Sequence, residues 1–112
     1  MANTFKNAKS INVGTSLATV YTAPGSSGNV AIILGVAVAN KNAAARTVTI
    51  EWQDASDSSN ATQLLDAVTI PGNSTLEVLA GQKYVLEQSD VVRAKASNTS
   101  SIDITVGVME IT

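Results

Sequence analysis

The side chains that could support catalysis in this sequence are almost all carboxylates. The 112 residues include no histidine and no cysteine, which excludes serine-histidine and cysteine-histidine nucleophiles together with imidazole and thiolate zinc sites. A glycosidase needs two carboxyl groups about 5 to 10 Å apart. The sequence leaves Glu51 with Glu77, or Asp54 with Asp57, open as such a pair, but a chain this short has little room for a deep cleft. We therefore predict a protein that is not an enzyme and needs no cofactor.

Two further motifs have the residue types of a ligand site without its spacing. Residues 54–60 are rich in oxygen ligands, yet the segment has neither the central glycine nor the final glutamate of a calcium-binding EF-hand loop. Gly25 and Gly28 follow a predicted strand, but no helix and no phosphate-binding glycine pattern follows them. We predict a solvated hairpin loop and an ordinary turn, and no metal site.

Charge is sparse and unevenly distributed along the chain. Charged residues make up 14% of the sequence and the net charge is -2, whereas nucleic-acid binding requires clustered Lys and Arg. We therefore expect no nucleic-acid partner. Residues 1–50 carry four basic side chains and no acidic one, and every Asp and Glu lies from Glu51 onward. This asymmetry is either accidental in a low-charge chain or the mark of a basic N-terminal segment that docks on an acidic neighbour.

Alternating polar and apolar residues, broken by short turn sequences, predict strands throughout the chain. The expected strands cover residues 17–23, 30–39, 46–53, 63–70, 75–79, 84–86, 91–97 and 102–112. We predict an all-β fold, a single antiparallel β-sandwich of about eight strands that is Ig-like or jelly-roll-like. The sandwich domain is expected over 17–112, with an extended N-terminal arm over 1–16. No stretch reaches the roughly 18 apolar residues that cross a bilayer, so we expect no membrane partner.

The strand over 30–39 is apolar on both faces. Its inner set is interpreted as Val30, Ile32, Leu34, Val36 and Val38, and the opposite set is also apolar and mostly small: Ala31, Ile33, Gly35, Ala37 and Ala39. A strand that faces water on one side alternates with polar residues. Either loops of the same chain cover the second face, or a neighbouring subunit packs on it. We name Ile33, Gly35, Ala37 and Ala39 as candidate partner-binding residues.

The N-terminal segment supplies the other candidate contacts. Phe5 is apolar, Lys6 and Lys9 are basic, and regular alternation is weak before Leu17. We expect an arm that is ordered mainly by a partner, with Phe5 as its anchor and the two lysines facing acidic groups.

The order of strand and turn sequences resembles that of a known group of proteins. The residues that carry the resemblance are 20–24 (VYTAP), 33–40 (ILGVAVAN), 48–50 (VTI), 70–72 (IPG), 76–79 (LEVL), 85–87 (VLE), 91–96 (VVRAKA) and 108–112 (VMEIT). Over residues 17–112 the chain resembles small β-sandwich virion structural proteins of tailed bacteriophages. It departs from them at Ser89-Asp90, where such families often have Gly before the Asp.

The resemblance implies a non-enzymatic part of a virion, assembled in the host cytoplasm. Its partners would be the major capsid protein or other virion proteins, and further copies of the chain on the particle. It implies either a capsid decoration (cement) protein, which stabilises the head by binding between major capsid subunits, or a tail, neck or fibre component. A receptor- or carbohydrate-binding module is the alternative class. Sugar sites commonly stack aromatic rings on the pyranose face, and the chain has four aromatic residues, of which Trp52 is expected in the core: Phe5, Tyr21, Trp52 and Tyr84.

Overall fold

Nine strands form two antiparallel sheets in the part of the chain that the structure describes, residues 2–79 and 81–112 of a computed structural model. The strands are β1 Asn3–Ser10, β2 Ala18–Thr22, β3 Val30–Asn40, β4 Arg46–Asp54, β5 Asn60–Ile70, β6 Thr75–Glu77, β7 Tyr84–Leu86, β8 Val91–Ala96 and β9 Ile102–Ile111. A single 3-10 turn, Ala55–Asp57, precedes β5. The prediction of an all-β antiparallel sandwich is confirmed. No helix in the described ranges is long and apolar enough to cross a membrane.

The strand pairs are nested inside one another along the chain. Strand β4 pairs with β5, β3 with β6 and β7, β2 with β8, and β1 with β9. The first sheet has the order β1-β9-β3-β6, with β7 on β3 beside β6, and the second has the order β2-β8-β4-β5. A long hairpin rolled in this way is a jelly roll. The structure thus selects one of the two sandwich types that the sequence left open.

The core lies between the two sheets and consists of aliphatic side chains. Strand β9 contributes its alternate residues Ile102, Ile104, Val106 and Val108, all fully buried. Strands β3, β4, β5, β7 and β8 supply further core residues, among them Val36, Val38, Val48, Ile50, Ile70, Leu86 and Val92. The period-two alternation of the sequence therefore places one face of each sheet inward.

Residues 3–10 are a strand of the first sheet. Strand β1 pairs with β9 in unbroken register from Asn3 opposite Ile111 to Ser10 opposite Ile104. The expectation that a partner orders this segment is therefore wrong for residues 3–10, because backbone pairing with β9 of the same chain already orders them. The division of the chain at residue 16 stays a prediction.

A β-bulge in β3 changes which of its residues face the core. The register with β9 shifts between Ile33 and Gly35, so Leu34 is an extra residue. Before the bulge Ala31 and Ile33 point inward, and after it Val36 and Val38 do. The predicted inner and outer sets are therefore correct from Gly35 onward and inverted before it. Ile33 is only 1% exposed, and its assignment to a partner-binding face is wrong.

Candidate protein interaction surface

The outer face of the first sheet, the side turned away from the second sheet, carries an apolar row across four strands. The register places Phe5 of β1 beside Met109 of β9, Met109 beside Ile32 of β3, and Ile32 beside Val85 of β7. Phe5 is 69% exposed and Val85 is 57% exposed. The neighbouring row contains Ile111 of β9 opposite Val30 of β3, and both are apolar and partly exposed. Contiguous apolar surface of this kind marks interaction sites on proteins that remain in solution.

A hollow lies next to that row. Gly107 of β9 and Gly35 of β3 are directly opposite each other, so two neighbouring positions of the sheet have no side chain. The hollow has a volume of about 220 Å³, and its walls include Phe5, Asn7 and the bulge residue Leu34. Leu34 is 39% exposed. A projecting ring and a depression thus lie side by side on the same face.

Charged residues lie at the two edges of this face. In the next row, Lys9 of β1 is opposite Thr105 of β9, Thr105 is opposite Ala37 of β3, and Ala37 is opposite Glu77 of β6. Lys9 and Glu77 are both exposed, and neither forms an ion pair with another described residue. The row is therefore positive at the β1 edge, small and neutral in the middle, and negative at the β6 edge.

Lys6 points to the other side of β1 and contacts a buried carboxylate. Its Nζ lies 3.0 Å from Oε2 of Glu110, the same oxygen that accepts a hydrogen bond from the Tyr21 hydroxyl at 2.5 Å. The hydrogen bond from Tyr21, followed by the contact with Lys6, holds the pKa of Glu110 below its ordinary value despite the opposing effect of burial. Burial and the neighbouring carboxylate raise the pKa of Tyr21. The cluster joins β1 and β9 of the first sheet to β2 of the second.

The predicted partner-binding residues therefore separate into three groups. Phe5, Lys9, Gly35, Ala37 and Ala39 share the outer face of the first sheet. Lys6 lies at its edge and contacts Glu110. Ile33 is in the core.

Sequence reasoning missed four apolar residues of this face: Ile32, Leu34, Val85 and Met109. The sequence did hold a signal for this face. Met109 and Ile111 belong to the outward-pointing residues of β9, and apolar residues on the outward side of a strand whose inward side is already apolar indicate a second covered face.

The carboxylates of Glu51 and Glu77 lie on different sheets and do not form a common site. Glu51 is buried in the second sheet, where its Oε2 lies 3.2 Å from Nη2 of Arg93, whereas Glu77 is on the outer face of the first sheet. Asp54 accepts hydrogen bonds from the backbone N–H and hydroxyl of Ser56 at the start of the 3-10 turn. Among residues 2–79 and 81–112 no cluster of three acidic side chains is arranged to hold a metal ion.

Comparison with known proteins adds information about the fold. No protein-family model and no curated protein sequence matches the chain. A chain of Bacillus endospore appendages, described as disulfide-linked pili, aligns with all of this chain and 91% of its own length (TM-score 0.56, 13% identity). A chain of the acid-stable capsid of Helicobacter pylori bacteriophage KHP30 aligns over 100% and 89% (TM-score 0.57, 10% identity). The Drosophila NLP core, described in terms of pentamer formation and histone binding, aligns over 99% and 98% (TM-score 0.52, 12% identity). At these identities the likeness establishes a shared fold.

Proposed function

We propose that this protein is a non-enzymatic structural component of a virion, in which another subunit covers the outer face of the first sheet. The observation that carries the proposal is the apolar row from Phe5 to Val85 beside the hollow at Gly107. A face with this much exposed apolar surface lowers its free energy when it is covered. The fold likeness to a bacteriophage capsid chain and to a pilus chain supports an assembly role.

Within that role we propose a capsid decoration protein that binds between major capsid subunits and stabilises the head. The chain is small, and both of its sheets are tied together by the Tyr21, Glu110 and Lys6 cluster, so it can act as a rigid wedge. Strand β1 also places the exposed Lys9 at one edge of this face, which suits an acidic neighbour.

The test is co-sedimentation of the purified protein with phage heads that lack it, prepared from the phage that carries its gene. We expect saturable binding and an increase in the temperature at which the heads release DNA. Ala37→Arg should reduce binding at least tenfold while the protein stays folded, because a long cation then stands on the covered face. Thr47→Arg, on the outer face of the second sheet, is the matched control and should bind as the unmodified protein does. Equal binding of both variants, or no binding by the unmodified protein, contradicts the proposal.

A tail or fibre module that binds a receptor or glycan is the second candidate. The observation in its favour is a cleft of about 430 Å³ at one end of the sandwich, between residues 28–30, 55–56 and 87–89. The lining residues that the structure describes include no aromatic ring for stacking on a sugar. A glycan array with micromolar binding, abolished by substitutions in this cleft, would favour this candidate over the decoration protein.

A further inference from the structure

Gly35 lies next to the bulge of β3 and opens the outer face of the first sheet. It lies in the interior of β3, outside the left-handed backbone region, and a Cβ added to it meets no atom within 4 Å. A glycine in a strand interior weakens the strand and often marks a bulge or the close approach of another backbone or ligand. The bulge accounts for a glycine here within the chain, and because no atom of the described chain lies near the added Cβ, Gly35 also leaves room for the backbone of another molecule.

The order of residues across each row identifies what that molecule can be. A two-fold axis parallel to the strands, between β9 and β3, sets every row of the face against the same row of a second copy in reverse order. Phe5 then meets the partner's Val85, and Met109 meets the partner's Ile32. Gly107 lies over the partner's Gly35, so the two backbones come closest where the side chains are missing.

The charges agree with this axis. In the reversed row, Lys9 of each copy faces the partner's Glu77, so two ion pairs close the two edges of the contact. Within one chain these side chains are separated by β9 and β3, a distance of about 14 Å at normal strand spacing, and cannot pair. A two-fold axis that lies in the interface but runs perpendicular to the strands would reverse the order of the rows. Phe5 would then face the partner's row of Lys9 and Glu77 and would lose its apolar contact.

The size of the face suits a dimer of modest stability. Four strands about 4.8 Å apart and eight residues at about 3.4 Å per residue give roughly 500 Å² in projection. The accessible area of a side-chain-covered face exceeds its projection, which brings it near the roughly 800 Å² that each partner buries in a standard interface. Two sheets also pack well face to face when their strands are within about 30° of each other, as this axis requires.

We propose that the subunit on the outer face is a second copy of this chain, bound about a two-fold axis that runs along the strands over Gly35 and Gly107. This inference rests on the proposed assembly role and deepens it: the two-fold pair is the unit that sits between capsid subunits. The dissociation constant of the dimer is expected to be on the order of micromolar.

The decisive experiment is a charge exchange followed by sedimentation equilibrium across a concentration series. The unmodified protein should dimerise. K9E alone and E77K alone should each weaken the dimer at least tenfold, because like charges then face each other at both edges. A mixture of the K9E and E77K proteins should recover the dimer to within about threefold, as both pairs are then opposite in charge. A mixture that stays monomeric overturns the axis, and an unmodified protein that is monomeric at all concentrations overturns the dimer.

A second variant tests the close approach at Gly35. Gly35→Val should leave the melting temperature of the monomer unchanged or higher, since the new side chain enters open space and valine suits a strand, yet it should abolish dimerisation. Gly14→Val, at another glycine with open space around its Cβ, is the control and should dimerise normally. A Gly35→Val protein that still dimerises overturns the proposal. An unmodified protein that is monomeric but attaches to heads overturns the dimer alone, and an unmodified protein that dimerises but does not attach overturns the virion role alone.

Discussion

Glu110 is a buried carboxylate that accepts a hydrogen bond from the neutral Tyr21 hydroxyl and contacts the charged Lys6 ammonium. The Tyr21 hydrogen bond and then the Lys6 contact lower the pKa of Glu110 in the folded protein. The ionised carboxylate therefore stabilises the fold at pH values above its unfolded pKa of 4.5, and this stabilisation is lost as the pH falls through the lower folded pKa. We expect the difference in melting temperature between the unmodified protein and Glu110→Gln to shrink below about pH 4.5. Thermal denaturation followed by circular dichroism from pH 2 to 7 measures it. The pKa of Asp103 is also lowered, and because the substitution does not touch Asp103 or its partners, the comparison cancels its effect.

Tyr21 is the matching residue-scale test of the same cluster. Tyr21→Phe keeps the ring in the core but removes the donor to Glu110, and we expect a loss of about 1 to 2 kcal/mol of unfolding free energy in urea. A loss of zero would show that Lys6 alone satisfies the carboxylate.

Gly72 is required by the packing of its own chain. A Cβ at this position would lie 2.0 Å from the carbonyl oxygen of Ala43, which is far closer than atoms can approach, so the backbone must move. We expect Gly72→Ala to destabilise the fold by about 2 kcal/mol or more. Gly14→Ala, with nothing within 4 Å of the new Cβ, should change the unfolding free energy by less than about 0.5 kcal/mol. Similar losses in the two variants would contradict the steric argument.

At the scale of single elements, the bulge in β3 makes adjacent isoleucines opposite in role. Ile33→Asp places an unpaired charge in the core and should unfold the protein, whereas Ile32→Asp places it on the outer face and should leave the melting temperature within a few degrees. Circular dichroism of the two variants decides. If Ile32→Asp unfolds and Ile33→Asp folds, the register of β3 with β9 is wrong.

Strand β1 is an edge strand that contributes little to the core. Of its side chains only Ala8 packs against the core, as a partly buried residue. Deletion of residues 1–10 should therefore leave a folded sandwich of reduced stability. Deletion of residues 1–14 should cost more, because Val13 is buried and its N–H donates to Ile102, while Gly14 accepts from Ala96. Denaturant unfolding of both proteins measures the difference, and equal stabilities would contradict it.

At the scale of the whole molecule, nested pairing makes the fold depend on contacts that are distant along the chain. The outermost pair joins the first strand to the last, with Asn3 opposite Ile111. Because such loops must close before the contacts form, folding is expected in milliseconds to seconds. Stopped-flow refolding followed by the fluorescence of Trp52 measures the rate. Folding in microseconds would contradict this dependence on topology.

The sequence by itself determined the all-β class, because strand periodicity and turn residues act locally. Seven predicted strands agree with the structure within a few residues at each end, and 84–86 agrees fully. The absence of histidine and cysteine likewise removed whole classes of chemistry without any structure. The outward positions of Gly35, Ala37 and Ala39 also followed from alternation alone, since no irregularity lies between them.

Only the tertiary structure decided which residues form the candidate surface. The bulge at Leu34 inverts the faces of Ile32 and Ile33, and a bulge arises from pairing with β9, which alternation within β3 does not encode. The strand character of residues 3–10 has the same origin, because an edge strand gains its hydrogen bonds from a neighbour almost a hundred residues away. The row from Phe5 through Met109 and Ile32 to Val85 joins four separate parts of the sequence, and register across the sheet alone brings them into line.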